Sequence, residues 1–570
     1  MMTVRHILEA RLRDALVKLS IDPDAAEVSA AADTRFGDYQ SNSAMALAKR
    51  ERQNPRVLAT RIAESIDVSG ISAAPEIAGA GFLNFRLETA FLQRSMEELS
   101  RDTRAGCEST PQPKTIVIDF SSPNVAKPMH VGHIRSTILG DCLARIARFL
   151  GHRVITDNHI GDWGTQFGKI IYGWKHLMNP AAFAADPIPE LLRLYRDVNA
   201  LEASDESVKS AVREELVKLQ SGDAENLSIW QEVVATSLVE FQKIYAVLDV
   251  RFDEHLGESF YNAALAPLVD RCIESGLARE SEGAICIFYP EASALAEHPC
   301  VIRKSDGGFL YATTDLATIA HRIDRWNPDA IWYVTGSPQA LHFQQVFEAA
   351  RMMGLKFDAQ HIPFGSILGE DRKIMKTRSG ENVQLGDVLA EAVERARAVI
   401  AQKNPELSND EADPIARAVG IGAVKYSELS QHRMTDYVFS WEKMLSFQGN
   451  TAPYLQNACV RIRSIFRRLE SPSDLTSAKV NISTDRERAL AVKLLQFGEV
   501  VPAVLDDFRP NLLVNYLYEL ATTFHSFYES CPVLKSEGDV RTSRLVLCDN
   551  TLKTLITGLD LLGIRAPERM

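Results

Sequence analysis

Two histidines that flank a Val-Gly pair, His130 and His133, stand where a polar loop gives way to a helical pattern. A helix N-terminus presents backbone N–H groups without partners in the helix, and it carries a partial positive charge. The two imidazoles and the nearby Lys127 add further donors, and Gly132 leaves room for a flat ring to lie against the backbone. These residues therefore predict a phosphate-binding site.

A four-residue pattern of this kind also arises by chance, and a single histidine is more often a core or surface residue than a ligand. The position of the pattern, after a predicted strand and at a predicted helix start, favours the functional interpretation. The usual phosphate loops are missing, since neither G-x-G-x-x-G after a strand nor G-x-x-x-x-G-K-S/T occurs. A near copy, His159-Ile160-Gly161, is followed by Asp162 and by no clear helix, so we assign no phosphate binding to it.

The elements that must position these groups form a strand–helix–strand unit. Thr115 to Phe120 is a short apolar run typical of a buried strand, and Val154 and Ile155 begin a second one. Apolar residues between them recur at helical spacing, and Gly151 stands where a helix C-cap would fall. Two strands joined in this way are parallel. The apolar stripe of the helix consists of Ile134, Ile138, Leu139, Cys142, Leu143, Ile146 and Leu150.

Acidic residues are predicted near the same edge of the sheet. Asp119 stands at the carboxyl end of the first strand, where side chains point into the ligand crevice of a parallel sheet. Further along, Gly308 to Thr313 is predicted to be a strand and Asp315 to begin a helix, so that Tyr311 and Asp315 face the same crevice. Carboxylates there would bind a cationic substrate. For Asp119, capping of the following loop is nearly as good an interpretation.

A basic loop follows a further predicted strand, Ile362 to Leu368. From Gly369 to Gly380 it contains four cations and two glycines, a composition suited to closing over a polyphosphate. Alone, the loop would be interpreted as a lysine-rich solvent loop. Together with the His-Gly-His helix start, it favours ATP as the ligand.

The composition is that of a globular protein with several domains. The 570 residues exceed what one hydrophobic core supports, and 46% of them are hydrophobic and 24% charged. No apolar run reaches membrane-spanning length, and the eight cysteines lie far apart without a C-x-x-C pair. We therefore expect a cytoplasmic protein with no membrane segment, metal site or disulfide framework. The net charge of -12 argues against indiscriminate nucleic-acid binding but leaves room for a local basic face.

Changes in pattern divide the chain into three ranges. Residues 1–108 are predicted to form a small α+β domain that ends in a polar, proline-containing linker. Residues 109–447 are predicted to form the sheet domain, with a charged helical insertion at about 176–255. Residues 448–570 are predicted to be helical throughout.

Two surfaces are candidates for nucleic-acid contact. Near a turn of the N-terminal range, Phe36 or Tyr39, with Gln40 beside them, could stack on an unpaired base, or the two aromatic residues could simply pack in the core. The C-terminal range carries 15 Lys or Arg and 14 Asp or Glu, so the acidic excess of the chain lies elsewhere. Arg461 and Arg467 belong to an arginine cluster on one predicted helix, which suits phosphate contact. A solvated helix face is an equally good interpretation for either of them.

Long sequence words carry a resemblance to the arginyl-tRNA synthetase family that covers nearly the whole chain. The words are FGDYQSN, IDFSSPNVAKPMHVGHIRSTILGD, GDWGTQFG, GESFY, YATTDLA, MKTRSG, DYVFSWEKMLSFQGNTAPYLQ and GLDLLGIRAPERM, in the order of the family. One departure concerns the basic loop. Where many class I enzymes have K-M-S-K-S, this chain has MKTRS and lacks the second lysine. The resemblance implies that Lys127, ahead of the His-Gly-His motif, substitutes for it.

The resemblance implies a fold and a set of ligands. The fold would be an α/β catalytic domain with a Rossmann-like parallel sheet and a helical insertion, a small α+β N-terminal domain, and an all-α C-terminal bundle that binds the anticodon. The substrates would be L-arginine and ATP, with Mg²⁺ accompanying the nucleotide, and the partner would be tRNA(Arg). A monomer is expected. Enzymes of this family usually need bound tRNA before they activate arginine.

The resemblance also implies roles for individual residues. Lys127 and Lys376 would steady the phosphates beside His130, Gly132 and His133, which would bind ATP. The positions expected to bind arginine are Asp119, Ser122, Asn124, Tyr311, Asp315 and Gln339, with His130 as a further candidate. The positions expected to contact tRNA are Tyr39, Gln40, Arg461 and Arg467.

The implied activity is that of an arginine–tRNA ligase. Arginine and ATP would give arginyl-adenylate and pyrophosphate, and the arginyl group would then pass to the 3′-terminal adenosine of tRNA. A small-molecule nucleotidyltransferase of the same superfamily is one alternative, but the helical range 448–570 speaks against it. A non-catalytic tRNA-binding relative is the other. It would be expected to lose Lys127, His130 or His133, and all three are present.

Overall fold

The computed structural model describes residues 2–369, 371–373, 375, 383–469 and 475–570. The chain divides into two compact units. The first consists of Met1–Thr110, Val399–Tyr426 and Lys443–Met570, and the second of Pro111–Ala398 and Ser427–Glu442. The predicted domain boundaries near residues 108 and 447 lie close to two of the points where the chain passes between units. The independence of the three predicted domains stays a prediction.

The N-terminal part of the first unit is built on an antiparallel sheet. Its elements are α1 (Val4–Lys18), β1 (Ser29–Ala30), β2 (Tyr39–Ser41), α2 (Ser43–Ala48), α3 (Pro55–Ser65), β3 (Glu76–Ala78), β4 (Phe82–Phe85) and α4 (Thr89–Arg101), with strand order β1-β2-β4-β3. Helix α1 buries Leu8, Leu12 and Leu16 because residues four apart share one face. Strands β3 and β4 form an antiparallel hairpin.

The second unit begins with the predicted strand–helix–strand unit. Its elements are β5 (Thr115–Phe120), α5 (Gly132–Phe149) and β6 (Arg153–Asp157), and the two strands pair in parallel. Thirteen residues of α5 are buried, the predicted Ile134, Ile138, Cys142 and Ile146 among them. The sequence pattern therefore located these three elements and their orientation correctly.

Five helices follow before the sheet resumes. They are α6 (Gln166–Leu177), α7 (Pro180–Ala185), α8 (Pro187–Ser204), α9 (Glu206–Gln220) and α10 (Ala224–Leu248). Asp205 caps α9 by accepting the Ser207 N–H, and Asp223 caps α10 by accepting the Asn226 N–H. The charged helical pattern is thus confirmed as an insertion between the two halves of the sheet.

The following part of the chain completes the sheet. Its elements are α11 (Asn262–Glu274), β7 (Ala278–Ser281), β8 (Ala284–Ile287), β9 (Cys300–Arg303), α12 (Tyr311–Trp326), β10 (Ala330–Val334), α13 (Ala340–Met352), β11 (Ala359–His361), β12 (Ile367–Leu368), α14 (Leu385–Lys403), α15 (Asn409–Ser430), β13 (Tyr437–Val438) and α16 (Trp441–Met444). Most of α15 belongs to the first unit, and α14 and α16 each cross from one unit to the other. The parallel sheet has the strand order β11-β10-β5-β6. Strands from both sides of the insertion therefore meet at its centre.

Two predicted strands differ in the structure. The strand predicted at Gly308–Thr313 is wrong, because α12 already begins at Tyr311 and includes Asp315. The Thr313 hydroxyl donates to the Ile302 carbonyl across 2.5 Å, which ties the first turn of this helix to β9. The strand predicted at Ile362–Leu368 is limited to Ile367–Leu368, which pairs with β13.

The C-terminal part of the first unit is helical, as predicted. Its helices are α17 (Ala452–Arg467), α18 (Asp485–Leu495), α19 (Phe497–Asp506), α20 (Asn511–Ser530) and α21 (Gly538–Leu561). A capping box begins α18, in which Thr484 accepts the Glu487 N–H and the Glu487 side chain accepts the Thr484 N–H. Among the residues that the structure describes, no helix combines the length and apolar character needed to cross a membrane.

Candidate active site

Three polar side chains lie in one row across the parallel sheet. Tyr333 of β10 and Asp157 of β6 are the register partners of Asp119 on β5. Arg322, one of the largest fully buried side chains, donates Nη2 to Asp119 Oδ2 at 2.6 Å and to Asp157 Oδ2 at 2.8 Å. Its guanidinium also lies over the Tyr333 ring, 5.2 Å from the centroid. The protein therefore holds one of its own arginines against the predicted acidic residue.

Asp119 is consequently not a free carboxylate at the crevice. Its side chain is 7% exposed, and its second oxygen, Oδ1, accepts the Ser122 hydroxyl at 3.1 Å. Burial and the carboxylates of Asp119 and Asp315 raise the pKa of Tyr333, although Arg322 acts in the opposite direction. The two predicted acids thus lie on the same side of the sheet, where both act on Tyr333.

Asp315 lies in a helix, as predicted, although that helix begins four residues earlier, at Tyr311. It precedes Arg322 by seven residues on α12, which places both on one helix face about 10 Å apart along the axis. His342 Nε2 is 2.6 Å from Asp315 Oδ2. Of the other predicted positions, Tyr311 is 66% exposed at the start of α12, and Gln339 is exposed directly before α13.

A further carboxylate, Glu258, was missed as a site residue. Burial, together with the Asp162 and Asp315 carboxylates, raises the pKa of Glu258 to about 7, although His159 acts in the opposite direction. Partial burial and the Glu258 carboxylate in turn raise the pKa of the Tyr311 phenol. The GESFY word contains this glutamate, but nothing in the local pattern distinguishes it from a surface acid. Glu258 therefore lies within electrostatic range of Tyr311 and Asp315, which stand one turn apart on α12.

Ser122 and Asn124 belong to the loop that follows β5. The Ser122 N–H donates to Asn158 Oδ1 at 3.1 Å, and Asn124 forms a parallel bridge with Gly161. A Cβ on Gly161 would lie 2.3 Å from Asn124 Oδ1, so the glycine is needed for this close approach. The near copy of the motif, His159-Ile160-Gly161, therefore supports the loop after β5. It does not stand at a helix start, because the helix that follows it begins only at Gln166.

The two motif histidines are held as neutral donors. The His130 N–H donates to His133 Nδ1 and the Gly132 N–H donates to His130 Nδ1, both at 3.1 Å. Burial lowers the pKa of His133 to about 3, and burial together with Lys127 lowers the pKa of His130. Since both Nδ1 atoms accept, each neutral ring carries its proton on Nε2. The imidazoles can thus donate to phosphate oxygens without carrying charge.

The prediction that the N-terminus of α5 presents free N–H groups is wrong. The Val131 N–H donates to the Val383 carbonyl at 2.8 Å, and the His133 and Ile134 N–H groups donate to the carbonyls of His130 and Val131. The Gly132 N–H is taken by His130, as described above. Anion binding here would depend on the imidazole N–H groups, the helix dipole and nearby cations.

Gly132 has a sharper role than predicted. A Cβ at this position would lie 2.8 Å from His130 Cε1 and 2.9 Å from Nδ1. The flat ring that lies against the glycine is therefore the imidazole of His130 itself. Any side chain at Gly132 would displace that ring.

Lys127 is half-buried beside the helical insertion. Its Nζ lies 4.5 Å from the ring centroid of Tyr195 on α8. It also lines a cavity of about 650 Å³ together with residues of α8 and α10, such as Arg193 and Glu240. Lys376, the predicted cation of the basic loop, lies outside the described residues, as does most of that loop.

The predicted nucleic-acid contact of Tyr39 requires correction. Its side chain is 0% exposed and its hydroxyl donates to Glu499 Oε1 at 2.8 Å, so the ring cannot stack on a base. Gln40 is half-buried on the same strand. The neighbouring Phe36 is 53% exposed and is the aromatic that this turn offers to solvent.

The predicted arginines of the C-terminal bundle line a cavity of about 500 Å³. Arg461 lies 5.4 Å from the ring centroid of Tyr528, and its Nη1 is 3.2 Å from His525 Nδ1. Burial and this guanidinium lower the pKa of His525 to about 4. Arg467 is exposed and donates to the Glu568 carbonyl. The cavity combines cations with an aromatic ring.

Family models match three successive ranges of the chain. Residues 96–441 match the model for tRNA synthetases class I (R), catalytic domain, so the parallel sheet and its His-Val-Gly-His turn are those of a class I aminoacyl-tRNA synthetase. Residues 3–87 match the arginyl tRNA synthetase N terminal domain, and residues 455–570 match the DALR anticodon binding domain. The chain therefore belongs to the arginyl-tRNA synthetase family.

Individual relatives agree with this assignment. The arginine–tRNA ligase of Thermobifida fusca is 48% identical over 94% of both chains, and that of Cellvibrio japonicus is 44% identical over 100% of both. Among solved structures, the arginyl-tRNA synthetase of Plasmodium falciparum superposes with a TM-score of 0.84 at 29% identity and 100% coverage of both chains. That of Thermus thermophilus gives 0.83 at 26% identity, covering 99% of this chain and 100% of the other. The resemblance found in the sequence words is confirmed.

Proposed function

We propose that this chain is an ATP-dependent arginine–tRNA ligase, which forms arginyl-adenylate and transfers the arginyl group to the 3′-terminal adenosine of tRNA(Arg). The single observation that carries the proposal is that Tyr311 and Asp315 stand one turn apart at the start of α12, within electrostatic range of Glu258, in a chain of this family. A guanidinium is best bound by planar carboxylates in a partly desolvated site.

The arginine site divides into two halves. Asp315 and Glu258 receive the guanidinium, with Tyr311 closing over it from the start of α12. Ser122, Asn124 and Gln339 line the half that receives the α-ammonium and carboxylate groups, because all three follow carboxyl ends of central strands.

Asp119 acts in this scheme through its neighbours. Its Oδ2 is paired with Arg322, and its Oδ1 holds the Ser122 hydroxyl. It thereby orders the loop beneath the substrate. This role replaces the guanidinium contact that the sequence suggested for it.

The ATP site lies at the start of α5. The Nε2–H groups of His130 and His133 donate to phosphate oxygens, while Lys127 and Lys376 contribute positive charge. Because the imidazoles are neutral, the cations and the helix dipole supply the electrostatic attraction.

Magnesium fits this site as a companion of the nucleotide. Within the described part of the chain, no group of three or more His, Cys, Asp or Glu side chains could hold a metal ion. Mg²⁺ is usually bound through substrate phosphates, water and one or two carboxylates rather than by an all-protein cage. When bound, it would neutralise charge on the phosphates.

Catalysis depends on position and charge. The arginine carboxylate attacks the α-phosphorus of ATP and pyrophosphate leaves, so that an acyl-adenylate forms. A ribose hydroxyl of the terminal adenosine then attacks the acyl carbon and AMP leaves. No protein side chain becomes a covalent nucleophile. The site aligns the reactants and stabilises charge on the phosphate oxygens.

The tRNA is bound by the first unit. The cavity with Arg461, Tyr528 and the exposed Arg467 offers cations for phosphate and an aromatic face for a base, as anticodon recognition requires. Arg461→Ala should raise KM for tRNA while KM for arginine is unchanged. The expected monomeric state and cytoplasmic location stay predictions.

Calorimetry and pyrophosphate exchange test the proposed function together. In the presence of tRNA(Arg), arginine should bind and support exchange with ATP, whereas citrulline, which lacks the charge, and lysine, which lacks the planar fork, should do neither at the same concentration. Exchange that lysine or no amino acid supports equally well would refute it. Arginine-dependent exchange without charging of tRNA would favour the small-molecule nucleotidyltransferase.

A further inference from the structure

The loop between β5 and α5 contains unusual backbone conformations. Ser121, Ser122 and Ala126 have φ angles of 73°, 47° and 62°, although none is a glycine. A left-handed conformation costs an L-residue about 1–2 kcal/mol and persists only where surrounding contacts impose it. The loop also carries Asn124 and Lys127, so the contacts that maintain its shape bear on the active site.

The arginine-binding half of the loop is fixed within the catalytic core. The Val125 N–H donates to the Gly161 carbonyl and the Gly161 N–H donates to the Pro123 carbonyl, each at 3.1 Å. The Ser121 N–H donates to the Ser136 hydroxyl of α5 at 2.8 Å. This half of the loop is therefore held by several hydrogen bonds that do not involve Ala126 or Lys127.

The insertion also contacts the first half, where the Ser121 and Tyr245 hydroxyls are 2.8 Å apart, but the phosphate-binding half depends on it more directly. The Ala126 N–H donates to Ser237 Oγ on α10 at 3.0 Å, and Ser237 is 0% exposed. The Ser237 hydroxyl proton is directed to the Val233 carbonyl at 2.8 Å, which leaves its oxygen lone pairs free to accept. One residue further, the Lys127 ammonium lies over the Tyr195 ring on α8.

We propose that Ser237 and Tyr195, both in the helical insertion, are positioning residues for Lys127 in adenylate formation. Ser237 fixes the left-handed Ala126 and thereby the direction in which Lys127 leaves the backbone. Tyr195 holds the ammonium group at the end of that side chain. Neither residue touches the reacting atoms. The inference rests on the role proposed above for Lys127, and it makes the rate of the first step depend on the insertion.

Substitutions at Ser237 and Tyr195 should lower kcat and leave the KM for arginine nearly unchanged. In Ser237→Ala, the buried Ala126 N–H loses its acceptor, so kcat for arginine-dependent pyrophosphate exchange should fall about tenfold. KM for arginine should stay within about twofold of wild type, because the contacts of Pro123–Val125 with Gly161 remain. Tyr195→Leu should lower kcat in the same way, whereas Tyr195→Phe, which keeps an aromatic face, should retain most of it.

A second substitution separates positioning from general packing. Glycine adopts φ near +60° without strain. The double variant Ser237→Ala, Ala126→Gly should therefore have a kcat at least threefold higher than Ser237→Ala alone. Ala126→Gly should recover nothing in Tyr195→Leu, whose defect lies at the ammonium group. The matched control is Ser100→Ala in α4, which removes a similarly buried helix serine that donates to the Glu97 carbonyl at 2.8 Å. Its exchange kinetics should equal those of wild type.

The outcomes are distinct. All exchange assays contain saturating tRNA(Arg), and a wild-type chain without arginine-dependent exchange under these conditions would contradict the proposed function itself. With wild-type exchange present, an unchanged kcat in Ser237→Ala overturns the present inference alone. A fall in kcat that is matched by an equal rise in the KM for arginine also overturns it. The same holds for a fall in kcat that Ala126→Gly does not reduce, since either result would indicate general damage to the fold.

Discussion

Arg322 Nη2 lies 2.6 Å from Asp119 Oδ2, and no part of the arginine side chain reaches solvent. Asp119, which the sequence predicted to bind a cationic substrate, is therefore already paired with a guanidinium group of the protein itself. Arg322 also pairs with Asp157, so one buried cation is shared by two carboxylates between the sheet and α12. Asp315 and Glu258, in contrast, are not paired with Arg322 and are the carboxylates proposed to bind the substrate guanidinium.

Arg322→Met should destabilise the second unit. The substitution leaves Asp119 and Asp157 buried without their cation, which costs about 3–5 kcal/mol of the free energy of unfolding. Urea unfolding followed by tryptophan fluorescence measures it, because all six tryptophans lie between residues 163 and 441, within this unit. Arg325→Met is the control on the same helix. Its ion pair with Glu254 is half-exposed, and a loss above about 1 kcal/mol there would undermine the comparison.

Asp315→Asn should raise the KM for arginine about 100-fold while the KM for ATP changes little. The substitution removes the charge that meets the guanidinium, and such charged hydrogen bonds carry about 2–3 kcal/mol. Steady-state pyrophosphate exchange gives both constants. Asp324→Asn, at an exposed position of the same helix, is expected to behave as wild type. Equal increases in both KM values for Asp315→Asn would remove this residue from the arginine site.

Arginine affinity should increase with pH through the pKa of Glu258. Because that pKa is raised to about 7, the side chain is mostly protonated at pH 6 and mostly ionised at pH 8. Only the ionised form attracts the guanidinium, so KM for arginine should fall roughly tenfold over this interval and then level off. In Glu258→Gln the dependence should disappear. A slope that survives this substitution would have to come from another group.

Gly132→Ala should slow adenylate formation at least tenfold without unfolding the protein. The added Cβ would lie 2.8 Å from the His130 ring and force it away from its place above the helix start. The rate of exchange and the thermal unfolding midpoint should be measured together. Gly386→Ala is a matched control, because the nearest atom to its Cβ, Ile244 Cδ1, is 3.4 Å away. Wild-type exchange in Gly132→Ala would mean that the position of His130 is unimportant.

Phe36→Leu should reduce kcat/KM for tRNA about tenfold and leave pyrophosphate exchange at saturating tRNA unchanged. Loss of one stacked base costs about 1–3 kcal/mol, and Phe36 is the exposed aromatic of its turn. Tyr39→Phe, at the buried neighbour, is expected to lower stability and leave tRNA charging intact. It removes the hydroxyl bonded to Glu499, so stability should fall by about 1–3 kcal/mol while charging by the folded enzyme persists. Equal charging by Phe36→Leu and wild type would exclude stacking at this turn.

Much of the fold followed from local sequence patterns. The strand β5, helix α5 and strand β6 were found from apolar runs and helical spacing, and the insertion was found from its charged helical pattern. These signals are local because strand and helix periodicities extend over only a few residues. Exceptions came where a short contact with a distant element decided the conformation. The start of α12 at Tyr311 is one such case, since Thr313 bonds to β9.

The sequence by itself determined the family, the order of the elements and the identity of the motif residues His130, Gly132 and His133. Only the tertiary structure decided what these side chains meet. Asp119 is neutralised by an arginine 203 residues later, and Tyr39 is buried against a glutamate 460 residues later. The physical reason is that burial and charge balance depend on contacts between distant parts of the chain, and no local spacing encodes them.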